Sequence, residues 1–261
     1  MIRFLLFYGI FCSTSLFIFQ EAQANDIMSI LQNRAEIAET QLPKTIPYSY
    51  TMQINFSQFD SDRSKEVQAE VSVDPSKPAG SRTNIVNSTN SHSQILTGIL
   101  EVIEDPKKNM AKLSSDFWCG SIHDYGSVDM STYTAISETD TDAVLKPNPS
   151  ILSEMLLRSD TERMDKAQRK MKNKLMDRID GHITISKHDG AIKDYKAYMT
   201  ETVKIKSIVK IKTKSFEQSC AVAPNGHRYI LKIKESFSGT ALSNKFGADL
   251  DILISDLRLL P

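Results

Sequence analysis

The chain has 261 residues, and 32 Lys and Arg offset 32 Asp and Glu, so its formal charge is zero. That balance excludes a global electrostatic drive toward nucleic acid or acidic surfaces. The length suffices for one domain with a real core, or for two small ones.

Arg3, the apolar run Phe4 to Phe19 and the small residues of Ala22-Gln23-Ala24 are the three parts of a secretory signal peptide, residues 1–24. The run is shorter than the ~20 residues that span a bilayer, and Ser13, Thr14 and Ser15 interrupt it. An uncleaved anchor is the competing reading. The mature chain is expected to begin near Asn25 as a periplasmic or secreted protein, with 25–261 forming a single domain and no transmembrane span left after cleavage.

Residues 25–39 carry Ile27, Ile30, Leu31 and Ile37 at helical spacing. The period then changes. Tyr48, Tyr50, Met52, Ile54 and Phe56 alternate with polar residues, as do Val67, Ala69, Val71 and Val73. Only strands put such sets on opposite faces, so a hairpin with Asp60 to Lys65 as its loop is predicted. The prolines of 74–80 then leave the sheet. Ser91-His92-Ser93-Gln94 reads as a capping box before a helix over Ile95 to Ile103. Residues 128–137 read as a strand, and Thr139 to Pro149, with two prolines, as a loop.

Two helices follow, over 150–158 and 160–179. The second shows a narrow stripe of Met164, Ala167, Met171, Leu175 and Ile179 on a basic surface. It suits either docking on a membrane or partner or packing against a sheet. From Gly181 onward the chain reads as a meander, with turns at Asp189-Gly190 and Asn225-Gly226. Thr202 to Lys214 is predicted to be one strand, with Val203, Ile205, Val209 and Ile211 on one face and lysines on the other. That lysine face either lies on anionic lipid or is a solvated face protected from edge pairing. Helices before and between strand groups make the class α+β.

Two cysteines survive cleavage, Cys119 and Cys220. In an exported chain an even pair reads first as a disulfide. Closing a loop of that size removes ~4.7 kcal/mol of unfolded-state entropy in the chain-entropy model. A Cys119 nucleophile beside His123 is the alternative, though it lacks an orienting third group; two unpaired buried thiols are another. The five histidines do not space like metal ligands, and His182 and His188 read as surface residues. No phosphate-cradling loop or nucleophile elbow is present. No metal, cofactor or catalytic residue is therefore expected, and the protein reads as a non-enzyme.

The segment Val73-Asp74-Pro75-Ser76-Lys77-Pro78-Ala79-Gly80-Ser81-Arg82 resembles the Asp-Pro-Ser-x-Pro-x-Gly-x-Arg-Trp signature of a family of exported Gram-negative proteins. Thr83 stands at that family's Trp position. The stretch from the basic helix through Asp180-Gly181-His182-Ile183 to the closing strands is similar to the same family. The resemblance implies a half-barrel like the periplasmic lipoprotein carriers of the LolA and LolB type. In these a curved antiparallel sheet wraps helices and holds acyl chains. The expected ligand is then a lipid or lipoprotein acyl chain between sheet and helices. Tyr48, Tyr50, Met52, Ile54, Phe56, Val203, Ile205, Val209 and Ile211 are the expected lining. The alternative is an envelope protein with a filled core that binds another protein through its surface.

Overall fold

The computed structural model describes residues 48–61, 63–90, 93–104, 132–157, 166–188, 190–206, 208–224 and 228–260. The expected signal peptide, the helix over 25–39, Cys119, His123 and the Asn225-Gly226 turn lie outside them.

The architecture is α+β, an open, curved antiparallel sheet with helices against one face. The strands are β1 (Tyr48–Asp60), β2 (Arg63–Val73), β3 (Thr83–Ser88), β4 (Tyr133–Glu138), β5 (Asp142–Pro147) and β6 (Ile179–Ser186). They continue with β7 (Ile192–Met199), β8 (Val203–Lys206), β9 (Val209–Val222), β10 (Arg228–Ala241) and β11 (Asn244–Leu259). The helices are α1 (Gln94–Glu104), α2 (Pro149–Leu157) and α3 (Lys166–Leu175). The spatial order is β3-β2-β1-β11-β10-β9-β7-β6-β5-β4, with β8 paired to β9. Pairing of β1 with β11 joins the first hairpin to the last strand, so one sheet runs through all described strands. Register shifts interrupt the β1–β11, β9–β10, β6–β7 and β4–β5 ladders. Such bulges bend and twist the strands they occupy.

Alternation in β1 and β2 places Tyr50, Met52 and Ile54 on the face of Val67, Ala69, Val71 and Val73. That face is covered by α1, whose Leu96 is fully buried. Across the sheet α2 and α3 cover β5 to β9, and Leu145, Leu152, Leu156, Leu175, Ile183, Ile185 and Phe216 are all inaccessible to solvent. The core is therefore two clusters on one face of one sheet. Two lysines of α3 tie it down, while Lys166 and Lys170 stay exposed. Lys172 Nζ donates to Glu154 Oε1 of α2 at 2.8 Å, and Lys174 Nζ donates to the carbonyls of Lys204 and Ile205 in β8.

Four expectations need correction. Thr139 to Pro149 is not a loop. Ala143 and Leu145 alternate as buried residues of β5, and the two prolines of the segment fall where they do no harm. Pro147 ends the strand. Pro149 takes the first helical position, where no N–H is needed, behind Asn148, whose Oδ1 caps Ile151 N at 3.0 Å. Thr202 to Lys214 is not one strand: β8 and β9 are antiparallel partners, with Lys204 opposite Lys210. Alternation persists through both arms, so periodicity alone hid the reversal. Capping of α1 falls to Ser93, whose Oγ accepts Ile95 N at 3.3 Å. Finally, the hairpin loop is shorter than Asp60 to Lys65, because β1 and β2 run on to Asp60 and Arg63.

The proline-rich segment after β2 returns as edge strand β3, which sequence periodicity missed. Asp74 Oδ1 accepts from Ser76 N and Oγ at 3.1 and 2.6 Å. Arg82 Nε donates to Lys77 O at 3.0 Å. Gly80 supplies a φ of 84°, which L side chains rarely adopt. The closed loop is gripped by Glu104, the last residue of α1. Its carboxylate accepts from the backbone N–H groups of Gly80, Arg82 and Thr83 and from the Thr83 hydroxyl. Burial alone would raise this carboxyl, but these hydrogen bonds outweigh it and hold it below its ordinary value. A depressed folded-state value contributes stability above the unfolded value and loses it as pH falls through the folded one. Glu104→Ala is expected to cost about 1–2 kcal/mol at pH 7 and to flatten the loss of stability below about pH 4.5, the ordinary glutamate range. Urea melts from pH 7 to 3 check both; an unchanged acid profile contradicts the clamp.

Candidate functional site

The apolar face is uneven. Tyr48, Tyr50, Met52 and Ile54 are 1–5% exposed. Tyr50, Met52 and Ile54 pack with Leu96, whereas Tyr48 sits in a small cluster with Ala223. Val203 is fully buried in the other cluster, against α2 and α3. Ile205, Val209 and Ile211 are half-buried around the β8–β9 hairpin. The structure thus brings together only part of the expected lining: Tyr50, Met52, Ile54 and the half-buried Phe56. The remainder is divided because the sheet is wide and its helices sit over its flanks.

Between the flanks runs a strip that sequence reasoning missed. On β11, Phe246, Ala248, Leu250, Ile252 and Ile254 alternate on the apolar face. Leu250 is paired with Phe56 on one side and Glu235 on the other. Ile252 packs against both core clusters and is itself half-buried, which makes it the seam between them. Phe56, Leu250 and Phe246 are half-buried too. Toward the hairpin ends the strip passes Phe237, whose ring lies 6.3 Å from that of Phe246. A cleft of about 370 Å3 opens there, lined by Phe59, Phe237, Phe246 and Gly247 together with the polar Gln58, Asp60 and Asn244. Gly247 is required by close approach: a Cβ would stand 2.4 Å from the Phe59 ring. The alternation of β11 was visible in the sequence. Its position between the clusters follows from the β1–β11 pairing, which was not.

One ion pair borders the strip. Lys214 Nζ lies 3.0 Å from Glu235 Oε1, and Glu235 shares its face with Leu250. Both partners are shielded over most of their side chains, so the pair is a fixed polar landmark beside an apolar track. Deeper in, Tyr195 stacks on Phe216 at 5.3 Å and its hydroxyl donates to Gln218 Oε1 at 3.2 Å.

The opposite face is polar. A cleft of about 410 Å3 lies there, lined mainly by polar residues such as Asn55, Ser57, Glu66, Glu217 and Lys234, with Phe56 and Leu250 also reaching it. Its size is that of a small-molecule site, but its chemistry is not that of an acyl-chain site. Lys232 and Lys234 approach Asp251 at 3.3 and 4.0 Å, and Lys196 pairs with Glu217 at 2.5 Å, so this face is laced by ion pairs. No group of three metal-ligating side chains is found among the described residues. His182 Nε2 faces Asp194 Oδ1 at 3.8 Å on the same polar face. No helix among the described residues is long and apolar enough to cross a membrane.

No protein-family model matches the chain, and no curated protein matches it in sequence. Among solved structures, it is similar to a LolA superfamily protein from Nitrosomonas europaea, with 14% identity and a TM-score of 0.29 over 89% of this chain and 93% of that one. It is also similar to a putative outer membrane lipoprotein-sorting protein domain from Vibrio parahaemolyticus, with 11% identity and a TM-score of 0.33 over 90% and 92%.

Proposed function

We propose that the protein is an exported, non-enzymatic carrier whose 25–261 domain holds a hydrophobic ligand, a lipid or lipoprotein acyl chain, on the apolar face of its sheet. The observation that carries this reading is the half-buried row of Phe56, Phe246, Leu250 and Ile252, which borders the cluster under α1 and meets the second cluster at Ile252. A filled core has no reason to leave a row of large apolar side chains half-accessible along its middle. An acyl chain laid there removes their remaining surface from water, at roughly 25 cal/mol per Å2. The lining proposed from sequence shifts accordingly. Tyr50, Met52 and Ile54 form the floor under α1, Phe56 the contact residue, and Ile205, Val209 and Ile211 a flank near the hairpin ends.

A second reading has its own support. Tyr48, Tyr50, Met52 and Ile54 are almost inaccessible, as in an envelope protein with a filled core that acts through its surface. Native mass spectrometry of the protein from its own envelope separates the two. Reproducible copurified lipid is expected, and its amount should fall severalfold in Leu250→Asp, placed on the strip. Protein that carries none and ignores added lipid supports the filled core.

Export also motivates the proposed Cys119–Cys220 bond. Cys220 is half-buried beside the larger cluster, and a cross-link there would anchor the 105–131 region to β9. Intact mass after alkylation, with and without reduction, reads the pairing directly: labelling of both thiols without reductant contradicts it.

A further inference from the structure

The β8–β9 and β10–β11 hairpins end side by side, joined by a hydrogen bond from Leu242 N to Ile208 O at 2.8 Å. Ile208 and Leu242 are the two apolar residues at these tips, and they are 49% and 74% exposed. Leu242 also adopts a φ of 57°, a left-handed conformation that bulky L residues avoid and that Asn or Gly would fill with less strain. Around them stand the exposed Lys204, Lys210, Lys212 and Lys245. None of the four is paired with a carboxylate among the described residues.

 Neither 202–216 nor 236–248 holds an Asp or Glu; Glu201, Glu217, Glu235 and Asp249 flank those ranges. Lys204 and Lys210 stand directly opposite each other, an arrangement that costs stability in isolation.

We propose that these paired tips are a docking surface for anionic lipid, with Ile208 and Leu242 entering the headgroup boundary and the four lysines meeting the charge around them. Charge on an edge strand also blocks sheet-to-sheet pairing. Edge protection explains the lysines of β8 but not two exposed aliphatic side chains at the apex. An anionic surface answers both, since it relieves the Lys204–Lys210 repulsion while the apolar apex leaves water. The inference does not depend on the carrier reading. If both hold, the tips present the end of the strip at Phe237 and Phe246 to the bilayer.

The test uses the protein and its variants, each recovered from the cells that make it so that processing is the same. Sedimentation with vesicles of equal phosphatidylglycerol and phosphatidylcholine is compared with phosphatidylcholine alone. Binding at least tenfold stronger to the anionic vesicles is expected, weakening steeply with salt. Lys204→Gln with Lys210→Gln should reduce it by about twenty-fivefold, from about fivefold per lysine. Ile208→Ser with Leu242→Asn should reduce it severalfold without lowering the melting temperature, because Asn suits the left-handed position. Equal binding to both vesicles, no binding at low salt, or anionic binding that survives both pairs of substitutions overturns the proposal. Loss of copurified lipid in Leu250→Asp with vesicle binding intact separates the strip from the tips.

Discussion

Gly181→Ala is expected to lower the unfolding free energy by about 3 kcal/mol. Gly181 lies in β6 directly opposite Ala197 of β7, beneath α2. A Cβ there would stand 2.1 Å from the carbonyl oxygen of Lys196, 2.9 Å from Leu152 Cδ2 and 3.0 Å from Ala197 Cα. Two of those three atoms are backbone held by the β6–β7 ladder, so the strain cannot be relieved by a rotamer change. The Gly181–Ala197 pair makes the room that lets α2 press Leu152 onto the sheet. Gly98, inside α1, has nothing within 4 Å of its would-be Cβ. Gly98→Ala should therefore stabilise by about 0.5–1 kcal/mol through backbone entropy alone. Urea unfolding of both variants checks the pair, and a Gly181→Ala midpoint equal to the parent's contradicts the described packing.

Leu96→Ala is expected to cost about 3 kcal/mol. Leu96 is the fully buried anchor of α1, inserted against the cluster of β1, β2 and β11. Partly buried Ile99, Leu100 and Ile103 complete that contact. Leu152→Ala, in the cluster under α2, should cost a similar amount. Distant sites without shared partners add to within ≈0.5 kcal/mol. The double variant should therefore lose close to the sum of the two single losses. A coupling well above that range would make the two clusters one continuous core and remove the seam at Ile252.

Much of this fold was legible from residue order. The alternation of Tyr50, Met52 and Ile54 with polar neighbours placed β1 correctly, and the helical spacing of Ile95 to Ile103 placed α1. Gly190 turns the β6–β7 hairpin with a φ of 68°, as its dipeptide indicated. What periodicity lacked was a signal for reversal inside an alternating run, so the β8–β9 turn near Ile208 passed unseen. It also misread Pro147 and Pro149, which break structure inside an element but are harmless at its boundary. The candidate site was less legible. The apolar residues of β1 were identified, yet which of them meet a helix and which face the open strip depends on β1 pairing with β11, a contact spanning almost the whole described chain. The grip of Glu104 on the loop at Gly80 to Thr83 is likewise a tertiary contact that local spacing cannot encode.

The carrier reading stands on where an acyl chain lies. Photo-crosslinking with a diazirine-bearing fatty acid, followed by peptide mapping, locates it. Adducts concentrated on Phe56 and on the Phe246 to Ile254 stretch of β11 are expected. Adducts confined to the polar face around Lys234 and Glu217, or no adducts above an albumin-free background, would contradict it.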